Sequence, residues 1–191
     1  MLTHLLTRES GSQALVFCKT KRGSNRVGEH LERAGIKTAV IHGNKSQGAR
    51  TRALGDFKSG RVDVLVATDL AARGLDIVQL PLVINFDLPL VAEDYIHRIG
   101  RTGRAGRSGR AVSLVSPSDS RLLRDIQRLL PAPLEHVVVP AFEKTSVEPS
   151  VHEPNRTRDR SRRNGFIRAK RMSERESGQG RVQKARAVSW R

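Results

Sequence analysis

The stretch Y-I-H-R-I-G-R-T-G-R-A-G-R-S-G-R, from Tyr95 to Arg110, places an arginine at every third position from Arg98 onwards, with glycines between them. Arginine binds phosphate well because its planar guanidinium stays charged and donates hydrogen bonds in a fixed fork. The glycines let the backbone turn sharply and approach a ligand closely. The stretch therefore fits either a disordered Arg/Gly tract that coats nucleic acid or a folded loop that directs a few guanidinium groups at one phosphate.

The residues on either side of this stretch favour the folded loop. Apolar periodicity predicts a helix over 91–99, with Ile96 and Ile99 on its apolar face, and a strand over 111–115. Both ends of the loop would then be held by one sheet. That arrangement would let Arg101 and Arg104 point at the same phosphate.

The rest of the chain to about Glu143 alternates predicted strands with predicted helices, which is typical of an α/β domain with a mostly parallel sheet. The runs 63–67 and 82–86 have almost no polar alternation, as expected for strands that are buried on both faces. Ser46 is predicted to cap a helix over 47–58, and Ser118 or Ser120 to cap a helix that ends at Leu130. Further strands are predicted at 13–18, 37–41 and 137–139, with a short helix at 1–8 and a longer one that ends before Gly35.

Ligands of such sheets bind beyond the carboxyl ends of the strands. The loops predicted to bind a ligand are therefore 19–23, 42–47, 68–76 and 100–106. Each of them contains glycine, small hydroxyl side chains or arginine.

The charge distribution points to a polyanionic partner. The chain has a net charge of +16, and residues 144–191 hold 14 Lys/Arg against 5 Asp/Glu, or +9 of that total. Such an excess is typical of nucleic-acid binding. The polar, basic composition after Glu143 predicts a disordered tail.

The remaining composition indicates a cytoplasmic protein. The single cysteine, Cys18, cannot form an internal disulfide and is predicted to be buried. No apolar run approaches the roughly 20 residues of a membrane helix. The N-terminus has no signal-peptide pattern, and no residue pattern predicts a metal site.

Four ordered blocks resemble the second RecA-like domain of DEAD-box RNA helicases. They are V-F-C-K-T-K (16–21), H-G-N-K-S-Q-G-A-R (42–50, followed by Phe57 and Gly60), A-T-D-L-A-A-R-G-L-D (67–76) and H-R-I-G-R-T-G-R (97–104). The second block is most similar to the bacterial RhlE-type subgroup, which often has a basic tail. The resemblance implies a RecA-like three-layer α/β/α domain over 1–142 and a basic RNA-binding tail over 143–191.

The resemblance also implies roles at a nucleotide. Arg101 and Arg104 would be arginine fingers that stabilise charge on the γ-phosphate of ATP. Asp76 would accept a hydrogen bond from the ATP ribose, and Gly74 would leave room for that approach. Arg73 would couple the nucleotide side to the RNA side.

On the RNA side, the resemblance implies contacts that position the strand without reading its sequence. His97 would contact the partner lobe; the alternative is an ordinary histidine on a helix surface. The residues implied to hold RNA phosphates are Thr20, Gly43, Arg50 and Thr68. For the two threonines the alternative is local capping of strand ends. Arg98, Arg107 and Arg110 are either solvated or paired with acidic residues.

The sequence lacks two motifs that complete helicases have. It has no G-x-x-x-x-G-K-[ST] phosphate loop and no D-E-A-D box. The cofactor Mg-ATP would therefore be held mainly by a separate N-terminal lobe, and this chain is predicted to be inactive in isolation. Expected partners are RNA, that lobe, and ribosomes or RNA-processing complexes. The alternatives are a non-catalytic RNA- or ribosome-binding module that acts through the tail, or a truncated remnant.

Overall fold

A computed structural model describes residues 1–9, 11–77, 79–103, 109–138 and 186–190, the last by their backbone alone. The helices are α1 (Leu2–Arg8), α2 (Lys21–Arg33), α3 (Gln47–Lys58), α4 (Asp69–Ala72), α5 (Ala92–Ile99) and α6 (Ser120–Leu129). The strands are β1 (Ala14–Phe17), β2 (Thr38–Ile41), β3 (Val64–Ala67), β4 (Leu82–Asn85), β5 (Arg110–Val115), β6 (Glu135–Val138) and β7 (Arg186–Trp190). None of the helices in these ranges is long and apolar enough to cross a membrane.

The sheet is mostly parallel, as predicted. Its order is β2-β3-β1-β4-β5-β7-β6, and the first five strands are all parallel to their neighbours. The strand β7 is antiparallel to both β5 and β6. Parallel pairing requires a crossover between consecutive strands, and α2, α3 and α5 supply it.

Helices cover both faces of the sheet, which gives the predicted three layers. Val16 of β1 shares a core cluster with Leu31 of α2 on one face. The next residue, Phe17, points to the other face and shares a cluster with Phe57 of α3. A third cluster on that second face joins α5, α6 and β5 around Tyr95.

The buried strand β1 continues into Cys18, which is fully buried as predicted. Burial raises the pKa of its thiol to about 12. The thiol therefore stays protonated and packs as a small apolar group.

Two predictions about helix ends and faces are wrong. The helix α6 follows a 3₁₀ turn at Pro117–Asp119, so its N-cap residue is Asp119 and not Ser118 or Ser120. Ser116 is the N-cap of the 3₁₀ turn, and its N–H donates to Asp119 Oδ2 at 2.9 Å. Proline at the first position of this turn favours the earlier start, because its φ is already helical. In α5, Ile99 is buried but Ile96 is 40% exposed, so the two isoleucines do not share one buried face.

The prediction of a disordered tail is wrong for Arg186–Trp190. These residues form β7, with Val112 of β5 opposite Ser189 and Val137 of β6 opposite Ala187. The segment R-A-V-S-W includes β-branched and aromatic residues that favour strands. The rest of the tail, with Arg104 and Arg107 of the arginine-rich stretch, lies outside the described residues.

Candidate functional site

A basic cavity of about 630 Å³ opens where β1, β2 and β3 end. Its lining residues come from the loops that follow these three strands, from the first turn of α2, and from α4 and the residue after it: Lys19, Thr20, Lys21, Arg22, Gly43, Thr68, Asp69, Leu70 and Arg73. The carboxyl ends of parallel strands meet at one edge of a sheet, so the three loops converge as predicted. The cations at this cavity suit a phosphate ligand.

Thr20 is the N-cap of α2, and its hydroxyl oxygen accepts a hydrogen bond from the Gly23 N–H at 2.9 Å. Thr20 therefore does cap locally, although it caps the start of a helix and not the end of a strand. A hydroxyl that accepts in this way still has its own hydrogen to donate. Capping and a phosphate contact are thus compatible at this residue.

Thr68 and Arg50 occupy different environments. Thr68 is the N-cap residue of α4 but makes no side-chain capping bond, and it lies largely buried in the cavity wall. Arg50 does not line the cavity. Its Nη1 donates to Gln47 Oε1 at 3.2 Å, and its Nε is buried with no hydrogen-bond partner in the described part of the chain.

The described start of the arginine-rich loop, residues 100–103, lies at the opposite edge of the sheet from this cavity. Gly100–Gly103 precedes the amino end of β5, and Thr102 forms a β-bridge with Leu80, just before β4. The Leu80 N–H donates to the Arg101 carbonyl at 3.0 Å. The expectation that all four loops share the carboxyl edge is wrong for this one, because α5 runs back across the sheet before the loop begins.

Arg101 and Asp76 lie next to each other at this edge. Arg101 Nη1 donates to the carbonyl oxygens of Leu75 at 2.9 Å and Ile77 at 3.4 Å, which flank Asp76 in the chain. Gly74 has a φ of +78°, and a Cβ built on it would meet nothing within 4 Å. Glycine is favoured there because of the left-handed backbone and not because of space.

The Asp76 carboxylate is 87% exposed and pairs with Lys58 Nζ at 2.9 Å. This hydrogen bond and the charge of Lys58 lower the pKa of Asp76. Lys58 is the last residue of α3, where a cation also interacts favourably with the helix dipole. The carboxylate is therefore ionised and accessible.

Arg98 is the most deeply placed of the described arginines, with 2% of its side chain exposed. Its Nε and Nη2 donate to the two carboxylate oxygens of Asp69 at 2.6 and 2.7 Å. Its Nη1 donates to Asn85 Oδ1 at 3.0 Å and to the Asp87 carbonyl at 2.6 Å. The guanidinium carbon lies 4.9 Å from the ring centre of Phe17, a cation–π distance.

A small cleft of about 20 Å³ lies on the second face. Arg73, His97 and Arg101 line it together, and so does Asp69. Arg73 pairs with Asp94, at the start of α5, at 2.8 Å. Because Asp69 and Arg73 also line the basic cavity, α4 forms the wall between the cavity and the cleft.

The sequence predicted that loop 19–23 binds a ligand but gave a role only to Thr20. Lys19, Lys21 and Arg22 line the cavity beside it, and the basic run K-T-K-R is the signal that could have identified them. The role of Arg98 had no local signal, because its partners lie 11 to 29 residues away.

Comparisons with known proteins identify the family of the chain. Residues 1–106 match the family described as helicase conserved C-terminal domain. The chain is 46% identical over 145 residues, or 76% of its length, to the ATP-dependent RNA helicase DeaD of Klebsiella pneumoniae, of which it covers 23%. It is 47% identical over 139 residues, or 73% of its length, to the RNA helicase CrhR of Synechocystis, of which it covers 28%. The chain thus spans about a quarter of the length of these curated relatives.

The fold also has a solved counterpart. The DEAD-box protein SrmB of Escherichia coli, solved bound to regulator of ribonuclease activity A, superimposes with a TM-score of 0.65 at 42% sequence identity. That match covers 69% of this chain and 78% of the SrmB chain.

Proposed function

Since the chain belongs to the DEAD-box RNA helicases, as their helicase C-terminal domain, we propose that it is the C-terminal lobe of an ATP-dependent RNA helicase and acts on ATP that a separate N-terminal lobe holds. The family match favours this function over a non-catalytic binding module. The closer similarity to the RhlE-type subgroup remains a prediction.

The observation that carries the proposal is the pair of adjoining sites on either side of α4. One is the basic cavity at the carboxyl edge of the sheet. The other is the surface beside the cleft, where the partly exposed Arg101 lies next to the exposed turn at Asp76. A lobe that links RNA binding to ATP hydrolysis needs a phosphate site for each ligand and a rigid element between them.

On the nucleotide side, the described residues fit ATP. The exposed Asp76 carboxylate is suited to accept a ribose hydroxyl, and Arg101 has donors beyond the Nη1 that binds carbonyls. We assign Arg101 and Arg104 as the arginine fingers, Gly74 and Asp76 to the ribose, and Arg73 and His97 to coupling between the lobes. Charge from these arginines would stabilise the phosphoryl group in the transition state.

The described residues do not supply a magnesium site. No group of three or more His, Cys, Asp and Glu side chains among them could hold a metal ion. Asp69 and Asp76 are single carboxylates, and each already pairs with a cation. We therefore assign the magnesium ion of Mg-ATP to the other lobe.

On the RNA side, we propose that Thr20, Gly43 and Thr68 contact backbone phosphates in the basic cavity, with Arg50 at its periphery. Such contacts hold a strand without reading its bases. We further propose that residues 1–142 form the lobe and that the basic segment after it adds RNA affinity.

The test is complementation. The chain mixed with an N-terminal lobe that carries a phosphate loop and a D-E-A-D box should hydrolyse ATP when RNA is added, whereas either half alone should not. Arg101→Ala should abolish that turnover, because each arginine finger contributes on the order of 10³-fold or more to the rate. Arg128→Ala is the matched control, since Arg128 is an exposed arginine of α6 whose ion pair within the described residues is with the neighbouring Asp125. Equal activity of the two variants would remove Arg101 from the mechanism.

A further inference from the structure

His42 connects helix α2 to the loop that follows β2. It is 4% exposed. Its Nδ1 accepts a hydrogen bond from the Asn44 N–H at 3.2 Å, and its Nε2 lies 3.0 Å from Asn25 Oδ1 in α2. A ring nitrogen that accepts cannot also bear a proton, so the hydrogen is on Nε2 and is donated to Asn25. The ring is therefore a neutral imidazole in one defined tautomer.

The side chain of Asn44 links His42 to a charged residue of the cavity. Asn44 Oδ1 accepts a hydrogen bond from Lys21 Nζ at 2.6 Å. A Cβ built on Gly43 would lie 3.6 Å from Lys21 Cε and 3.8 Å from Nζ, so the ammonium stands directly beside the Gly43 backbone. Lys21 and Gly43 both line the basic cavity.

We propose that neutral His42 is the positioning residue of the phosphate-binding cavity: through Asn44 it holds the Lys21 ammonium beside the Gly43 backbone, where both contact one RNA phosphate. This inference rests on the proposed RNA contact of the cavity. His42 itself does not line the cavity and acts only through Asn44.

The surroundings of His42 favour the neutral imidazole. Burial lowers the pKa of His42, and the nearby charges of Lys45 in its own loop and Lys21 of α2 lower it further. At neutral pH the ring is therefore uncharged, and Nδ1 is available to accept the Asn44 N–H.

Two substitutions at His42 test the hydrogen bonds of the two ring nitrogens separately. The carbonyl oxygen of an asparagine reaches about as far as Nδ1, so His42→Asn keeps the acceptor for the Asn44 N–H. The longer glutamine reaches the place of Nε2, so His42→Gln keeps the contact to Asn25 but loses the acceptor for Asn44.

The probe is a labelled oligouridylate of six nucleotides, titrated against the full chain and followed by fluorescence anisotropy. We expect His42→Asn to bind within about twofold of the parent and His42→Gln to bind about three- to tenfold more weakly, the range of one lost hydrogen bond.

Asn25→Asp gives an independent test at nearly constant charge. The carboxylate beside Nε2 should stabilise the protonated ring, so that a neutral His–Asn pair becomes a His⁺–Asp⁻ pair with no change in net charge. Nδ1 would then bear a hydrogen and could no longer accept from Asn44. The variant should lose the same three- to tenfold in affinity near pH 7, about the effect of one hydrogen bond, and recover it as the pH is raised until the ring deprotonates.

The control is His136→Gln, an exposed histidine of β6, which should leave binding unchanged. Thermal unfolding of each variant checks that it is folded, and the recovery of Asn25→Asp at high pH is measured on the same protein. The inference is overturned if His42→Asn and His42→Gln bind equally, or if Asn25→Asp binds like the parent at every pH. Failure of the parent chain to bind the oligonucleotide would instead contradict the proposed function.

Discussion

The buried guanidinium of Arg98 joins three parts of the second face of the sheet. It binds Asp69 at the start of α4 through two hydrogen bonds, and it also binds Asn85 and the carbonyl of Asp87 at the end of β4. The same Asp87 accepts the Lys19 N–H with its side chain at 2.9 Å, which extends the network to the loop after β1. One residue thus fixes the relative positions of the elements that line both the cavity and the cleft.

Substitution of Arg98 should therefore reduce stability strongly. Arg98→Lys keeps the charge, but an ammonium cannot reproduce the planar fork that binds both oxygens of Asp69. We expect the free energy of unfolding to fall by about 2–4 kcal/mol, close to the cost of breaking a buried ion pair. Urea denaturation of the chain measures this effect. Arg128→Lys, at an exposed pair, should change the free energy of unfolding by less than about 1 kcal/mol. Comparable losses in both variants would show that Arg98 stabilises the fold no more than an exposed arginine does.

His42 should make stability depend on pH. Its pKa is lowered in the folded chain, so the unfolded chain binds more protons between the ordinary histidine pKa of about 6.5 and the lower folded value. The contribution of neutral His42 to the free energy of unfolding is then fully present above about pH 6.5 and is lost as the pH falls toward the folded pKa. Urea unfolding between pH 8 and pH 5 should show a steeper loss for the parent than for His42→Asn. Identical pH profiles would mean that His42 titrates normally.

At the scale of elements, the contact between α2 and β2 depends on a glycine. A Cβ built on Gly28 would lie 2.4 Å from Val40 Cγ2, closer than any real contact, whereas a Cβ on Gly55 of α3 would meet nothing within 4 Å. Gly28→Ala should lower the free energy of unfolding by about 1–2 kcal/mol, because overpacking costs more than the gain in helix propensity. Gly55→Ala should raise it by up to about 1 kcal/mol. Recovery in the double variant Gly28→Ala/Val40→Ala would identify the clash as the cause.

Elements with local signals were predictable from the sequence. The helix α3 has the predicted bounds and cap, because Ser46 and the residues that follow it carry all the information needed. The helix α4 and the strand β7 were missed, because four residues contain too little periodicity and a distant edge strand has no local partner. The burial of Arg98 could not be predicted for the same reason, since its acceptors meet only when β4, α4 and α5 pack together.

At the scale of the whole molecule, α4 is the element common to both proposed functions. Its first residue, Asp69, is held by Arg98, and Arg73 at its end is held by Asp94 of α5. A displacement of α5 on nucleotide binding at Arg101 would act on both ion pairs and hence on the wall of the basic cavity. The described contacts thus supply a physical route between the two sites, which single loops at opposite edges of the sheet would lack.

The two parts of the basic tail should have separable effects. Of its 14 Lys/Arg residues, 11 lie in 144–182, whereas β7 lies beyond that segment and pairs with both β5 and β6. An internal deletion of 144–182 joins Glu143 directly to Gln183, so it removes most of the charge and keeps the strand. A deletion of 144–191 removes both. Both deletions should flatten the dependence of RNA affinity on salt, by about 0.7 log units per log of salt for each phosphate that the chain no longer neutralises.

Only the longer deletion should also destabilise the folded domain. Without β7 the backbone groups of β5 and β6 that face it lose their partners. The free energy of unfolding should therefore fall by at least about 1 kcal/mol, the net contribution of a single backbone hydrogen bond. Urea denaturation of both deletion variants and the parent measures this difference in stability. Salt titrations of oligouridylate binding measure the change in the salt dependence of RNA affinity. Equal stability of the two variants would remove β7 from the sheet, and an unchanged salt dependence would remove the tail from the RNA contact. The two results are independent, because the internal deletion changes the charge of the chain without changing any described strand pairing.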